Sequence, residues 1–295
     1  MIDRNLEIFI RVAENMSLTK AARGLFITQP AVSNAIRKLE TNLNVRLFHR
    51  HKRDSIRLTA VGEKILELSK QMAHLDNRIR QTAFEENNLI GGHLRVATLP
   101  TLTSAIISKT LKTFLELHPD VTVDIQEDSP NNVLKMVKNN HVDFALSCEP
   151  YHQFDSKPLI HDHLVAMLPP DSPKLDEVNI ARPPGRLIVN QHAYDTILEY
   201  MPEDSPLDSS QFLFVEHPET AIQMASDGIG FAVVSEFTLD SLTVGHRRCP
   251  VIPHIGFEIG IFSHRLDDLT PVASAFMHEI QNTTTRFYSA FRAEH

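Results

Sequence analysis

Tryptophan is absent from the 295 residues, tyrosine occurs only four times and cysteine twice. Two cysteines, Cys148 and Cys249, are too few for a disulfide framework and lack metal-ligand spacing, so a reducing compartment is expected. No apolar run reaches the ~20 residues of a membrane span. Asp3, Arg4, Glu7 and Arg11 break up the N-terminus, which leaves no signal-peptide core. A cytoplasmic location is the expectation. Neither a P-loop nor a serine nucleophile elbow occurs. Gly228-Ile229-Gly230 lacks the third glycine of a dinucleotide fingerprint and precedes a strand pattern instead of following one. Catalysis, a cofactor and a resident metal are therefore not expected. Among sixteen histidines, His161-x-His163 shows no third or fourth ligand, and His278-Glu279 lacks the second histidine of a zinc-protease helix because position 282 is Asn.

What is present is an uneven charge. The chain is −8 overall, yet residues 1–60 hold eleven Lys/Arg against five Asp/Glu, an excess of +6 that leaves −14 on the remainder. A basic front on an acidic body suits a polyanion-binding module joined to a different domain. Leu6, Phe9, Ile10 and Ala13 fall at helical spacing over 3–15. Ser17 is placed to cap a short helix over 18–25, and Thr28 to cap a third with Pro30 in its first turn. That third helix puts Val32, Ala35, Ile36 and Leu39 on one face and Gln29, Ser33, Asn34 and Arg37 on the other. Gln and Asn pair bidentately with adenine, Arg reaches guanine or phosphate, and Ser suits several acceptors, so the pair of helices has helix-turn-helix chemistry. The stretch 48–59 reads as a hairpin with Lys52–Ser55 at its tip, a wing whose Arg50, Lys52 and Arg53 would lie on adjacent DNA backbone. A three-helix cap with a merely solvated polar face is the competing account of the same spacing.

From Thr59 the period changes. Val61, Ile65, Leu68, Met72, Leu75, Ile79 and Thr82 alternate steps of four and three, a seam of three heptads that asks for a partner helix. Gly91-Gly92 marks its end. Beyond it, strand patterns at 94–97, 121–126, 144–147, 164–168, 187–190, 212–215, 231–234 and 257–262 alternate with helical patterns near 102–117, 131–139, 195–201, 219–227 and 271–291. Such alternation predicts an α/β architecture.

The front end resembles the winged helix-turn-helix of the LysR-type transcriptional regulators. The resemblance is carried by Ser17-Leu18-Thr19-Lys20-Ala21-Ala22, Gln29-Pro30-Ala31-Val32-Ser33, Ile36-Arg37-Lys38-Leu39-Glu40, Leu47-Phe48-His49-Arg50 and Leu58-Thr59-Ala60-Val61-Gly62, all in register. It implies a multidomain α plus α/β fold: a winged helix-turn-helix over 1–58, a dimerising linker helix over 59–90, and a two-lobed effector domain over 91–295, similar to a periplasmic binding protein. Lobe I would be 93–162 with 264–295, and lobe II 163–263. The family's DNA contacts carry over to Gln29, Pro30, Ser33, Asn34 and Arg37, with Arg50 and Arg53 on the wing. Asn34 stands where arginine or glutamine is usual.

The same resemblance implies a small-molecule effector between the lobes, a dimer or dimer of dimers, and RNA polymerase as a further partner. Effector contacts fall on Leu99, Pro100, Thr101 and Leu102 after the first strand, on Ser147 and Cys148 after the third, and on Asn190, Gln191 and Phe231 in the second lobe. Hydroxyls at the start of a helix suit a carboxylate or another small polar ligand, so a small anionic metabolite is one expectation for the effector, although Thr98 and Thr103 are equally suited to capping. Cys148 reads as a small thiol lining the pocket, with a redox role left open. The body alone would also suit a solute-binding protein or an enzyme carrying a nucleic-acid-binding accessory, but the basic module and the heptad seam have no use in that reading.

Overall fold

The computed structural model describes residues 3–50, 56–85, 92–201, 207, 209–242 and 246–288. Three short helices open the chain: α1 (Arg4–Asn15), α2 (Leu18–Gly24) and α3 (Gln29–Leu43). Both expected caps form. Ser17 Oγ accepts the Lys20 N–H at 3.3 Å and Thr28 Oγ1 accepts the Ala31 N–H at 3.4 Å, satisfying donors a helix start leaves free. Val32, Ala35, Ile36 and Leu39 of α3 are buried together with Phe9 and Val12 of α1 and Ala21 and Ala22 of α2. Burial of each large member contributes about 1.5–3 kcal/mol. The wing strands β1 (Phe48–Arg50) and β2 (Ile56–Leu58) pair antiparallel. Buried Glu40 anchors them to α3, its carboxylate accepting the Leu47 N–H at 2.8 Å. The expected hairpin tip, with Lys52 and Arg53, lies outside the described residues.

The linker helix α4 (Ala60–Glu85) starts at a tight joint. Thr59 Oγ1 accepts the Gly62 N–H at 2.9 Å and donates to the Arg46 carbonyl at 2.7 Å. A Cβ on Gly62 would lie 2.2 Å from the Leu47 carbonyl oxygen, so only glycine lets the helix approach the wing this closely. Of the heptad seam, Ile65 packs on the core of the three helices. Leu68, Met72, Leu75 and Ile79 instead stand 59, 52, 52 and 67% exposed. The opposite side of α4 leans on the body, with Lys70 Nζ 2.5 Å from His141 Nε2. Burial lowers both groups' affinity for a proton, His141 to about 4.

The body is built on strands β3 (Gly92–Thr98), β4 (Val121–Glu127), β5 (Phe144–Cys148), β6 (Asp155–Met167), β7 (Val178–Asn179), β8 (Leu187–Asn190), β9 (Phe212–Val215), β10 (Phe231–Ser235), β11 (Arg248–Ile252) and β12 (Gly256–Ser263). Its helices are α5 (Pro100–Leu102), which continues through a π turn at Thr103–Ile107 into α6 (Ser108–Leu117), then α7 (Pro130–Lys138), α8 (Gln191–Tyr200), α9 (Pro218–Ser226), α10 (Glu236–Leu242) and α11 (Pro271–Phe287). The strands run in the order β4-β3-β5-β12-β6-β10-β8-β9. All eight expected strand patterns are strands.

Two differences concern the lobes. Strand β6 is long and serves both: residues 155–163 pair with β12, and 164–167 pair with β10. Strand β12 also pairs antiparallel with β5. Residues 256–263 therefore belong to the first lobe, and the second runs from about 163 to 255, not to 263. An apolar strand buried on both faces has no pattern that reveals its sheet. The chain crosses between lobes twice, at 162–164 and at 253–256, and the crossings are tied by Leu164 N–H donating to the Ile255 carbonyl at 2.9 Å. Buried Asp162 braces this joint, accepting from Ser235 Oγ at 2.5 Å, the His163 N–H at 2.8 Å and the Phe237 N–H at 3.1 Å. Burial nevertheless raises its pKa to about 6.

Candidate functional site

The first site is the outer face of α3. Because the apolar stripe is buried, Gln29, Pro30, Asn34 and Arg37 are exposed together and Ser33 is half-buried beside them. Arg50 is the last residue of β1; Arg53 lies outside the described residues. Phe26, which the sequence pattern does not flag, adopts a left-handed φ of 54° in the turn before α3 and leaves its ring almost wholly in solvent.

The second site is a cavity of about 580 Å³ between the lobes. It opens where β3, β4, β8 and β9 end and α5, α7, α8 and α9 begin, the place where open α/β sheets receive ligands. Leu99, Pro100, Thr101 and Leu102 line it from the first lobe. Cys148 does too, its Sγ 2.9 Å from His192 Nε2. Burial pushes that thiol up to about 12 and lowers the pKa of His192, so the pair is a neutral thiol and a neutral imidazole. Asn190 and Gln191 line the opposite wall. Their polar groups are partly engaged: Asn190 Oδ1 caps α8 by accepting the Ala193 N–H at 2.8 Å, and Gln191 Nε2 donates to Asp195 at 2.7 Å. This cap moves the start of α8 to Gln191, four residues ahead of the expected 195.

Two expected residues are elsewhere. Ser147 is buried on β5 but is not in the wall, since successive side chains of a strand face opposite ways and Cys148 takes the cavity side. Phe231 opens β10, whereas the cavity meets that strand at its other end, through Val234 and Ser235. Its ring lies in the core against Gly185. The two threonines suited to capping do other things. Thr103 bonds back to the Leu99 carbonyl at 3.3 Å, and Thr98 Oγ1 is buried with no partner among the described residues.

The wall residues that sequence reasoning missed include every charged group in it. Glu127, Asp128, Glu216 and Glu219 line the cavity, and among the described residues no lysine or arginine does. Hydrogen bonds from Asn132 and Ser129 hold the Asp128 carboxyl below the usual carboxylate range. Thr101 Oγ1 donates to Glu219 Oε1 at 3.1 Å and so joins one lobe to the other. A signal for these residues exists in the sequence, since Glu127 ends β4 and Glu216 follows β9 directly. The expected contacts drew only on the ends of β3, β5 and β8 and on the start of β10. The anionic metabolite expected from the threonines is at odds with this wall. The histidine pair at 161 and 163 is separated in use: His161 Nδ1 lies 2.8 Å from Glu258, and His163 Nε2 3.5 Å from Glu236.

Residues 4–63 match the family described as bacterial regulatory helix-turn-helix protein, lysR family, and residues 87–285 match the LysR substrate binding domain. The chain belongs to the LysR family. It is a DNA-binding transcriptional regulator with an effector-binding domain, and not an enzyme. Among similar LysR-type proteins, the HTH-type transcriptional regulator YoaU of Bacillus subtilis (strain 168) is 29% identical over 276 residues, covering 92% of this chain and 95% of that one. A full-length OxyR variant of Pseudomonas aeruginosa shares the fold at a TM-score of 0.70 and 20% identity, covering 95% of this chain and 96% of that one. Full-length CbnR, solved in complex with its target DNA, shares it at 0.52 and 18% identity, over 96% of this chain and 100% of that one. No helix among the described residues is long and apolar enough to cross a membrane.

Proposed function

We propose that α3 enters the major groove, where Gln29, Ser33, Asn34 and Arg37 meet base edges, Pro30 lies in the same contact face, and Arg50 and Arg53 extend the grip along the wing. The observation that carries this reading is the division of α3 into a buried apolar stripe and an exposed polar face on a module of +6 charge. The exposed seam Leu68-Met72-Leu75-Ile79 pairs with its copy in a second chain. The resulting dimer, or dimer of dimers, sets two recognition helices at a fixed spacing. A cytoplasmic regulator of this kind contacts RNA polymerase from its promoter site.

In the same proposal the effector binds between Leu99–Leu102 and Cys148 on one lobe and Asn190 and Gln191 on the other. Its binding favours one of two lobe arrangements about the paired crossings, and the change reaches α4 and hence the spacing or bend of the DNA. Footprinting of the full-length protein on the promoter beside its own gene, at rising salt, tests the reading. A protected pair of half-sites whose affinity falls steeply with log salt supports it. Absence of protection at any salt sinks it.

A further inference from the structure

We propose that the effector of the interlobe cleft is a small organic cation, an amine or guanidine carried on an apolar body. This rests on the reading of that cleft as the effector site. The charge of its wall is one-sided. Glu127 and Asp128 stand on the first lobe, Glu216 and Glu219 on the second. None of the four makes an ion pair among the described residues. An anion entering here would meet carboxylates on both sides and no guanidinium or ammonium in the wall to replace its water; Lys135, whose charge acts on Asp128, stands outside that wall.

The usual source of anion affinity in such a cleft, the free N–H groups of helix starts, is also reduced at α7, α8 and α9. Pro130 and Pro218 bring no N–H to the first turns of α7 and α9. The Asp128 carboxylate takes the Ser129 N–H at 2.7 Å, and the His217 carbonyl takes the Thr220 N–H at 3.1 Å. Asn190 caps α8. Between the carboxylates, Leu99, Leu102, Leu164, Val234, Phe257 and Ile259 supply an apolar floor. A bare metal ion gains nothing from such a floor, and no metal-holding group of His, Cys, Asp and Glu occurs among the described residues. An apolar body with a cationic end fills both parts.

The same charges determine how the ligand would act. Like charges on facing lobes resist closure of the empty cleft, and the Thr101–Glu219 hydrogen bond works against them. A cation between them reverses the sign of that interaction, so closure is coupled to the charge of the ligand and not merely to its size.

The test uses full-length protein and two matched probe series, phenethylamine with 2-phenylethanol and 3-phenylpropionate, and hexylamine with hexanol and hexanoate. Dissociation constants are taken from ligand-observed NMR for wild type and for the Glu216→Gln/Glu219→Gln variant, with Mg²⁺ and Ca²⁺ as separate arms. The amines should bind at least roughly tenfold more tightly than the carboxylates, with the alcohols between, and the double variant should bring the series together. Amine affinity should weaken with added salt. Carboxylates binding as well as amines, a preference unchanged in the variant, or displacement of the amines by millimolar Mg²⁺ or Ca²⁺ would overturn the proposal while leaving the cleft as the effector site. Failure of every probe to bind would instead remove the cleft reading, and this inference with it.

Discussion

The module of residues 4–58 and the lobed body deploy their functional groups in opposite ways. The module displays them outward on one short helix, so five of its seven proposed contacts lie between positions 29 and 37. The body turns its groups inward and gathers them from segments as far apart as Leu99 and Ile259. A site on one helix face is specified by local period. A site between lobes exists only after strand order has been settled. The charge follows the same division: a basic face reaching for a polyanion, and a cavity whose wall carries carboxylates.

The largest expected effect falls on the helix that links the two regions. Replacing exposed Met72 and Leu75 of α4 by glutamate should cost the dimer at least about 3 kcal/mol of association, from lost apolar burial and facing charges. Sedimentation should show monomers, and operator binding should fall with it, while the melting temperature of the body stays put. Unchanged dimers would mean that this seam is not where two chains meet.

Next, Gly62→Ala should destabilise the module alone by about 2–3 kcal/mol, because the new Cβ would stand 2.2 Å from the Leu47 oxygen. Calorimetry should show the module's transition moving down without the body's.

The pH response belongs to the body. Buried Asp162 holds its proton more tightly folded, with a pKa of about 6, than unfolded. Its contribution is therefore fully present below about pH 4 and is lost as pH rises through 6, a change of roughly 2–3 kcal/mol. Asp162→Asn should flatten the stability profile over that window. A profile as steep as wild type would show that other groups set it. The smallest effect is expected for Thr101→Val, which removes the 3.1 Å bond to Glu219 and should cost about 1 kcal/mol of lobe-to-lobe contact, read as a lower midpoint for the body.

Much of the module can be read directly from its sequence. The caps at Ser17 and Thr28 and the burial of Val32, Ala35, Ile36 and Leu39 follow from period and side-chain chemistry. In the body, strands are legible because β-branched and aromatic runs stand between polar punctuation, yet their partners are not. Strand β12 pairs with β5 across more than a hundred residues, and nothing in Phe257-x-Ile259-x-Ile261 names that neighbour. Strand β11 and helix α10 leave little trace in the sequence, because Arg248–Ile252 carries a proline and Glu236–Leu242 is only seven residues long. Phe231 is misplaced for a related reason. Its strand is correct, but which end of the strand meets the cleft depends on direction within the sheet. The cavity's carboxylates look, one by one, like ordinary solvated charges; they become a wall only when β4 and β9 bring them together.

The most direct test is an equilibrium titration of full-length protein against its own promoter fragment and a scrambled fragment of equal length, for wild type and for Gln29→Ala/Ser33→Ala/Arg37→Ala, across a salt series. Wild type should prefer its promoter by orders of magnitude. The triple variant should lose most of that preference, at about 1–3 kcal/mol for each base contact removed, while remaining folded and still salt-sensitive through its wing. If the triple variant discriminates between the fragments as wild type does, the face of α3 does not read the DNA.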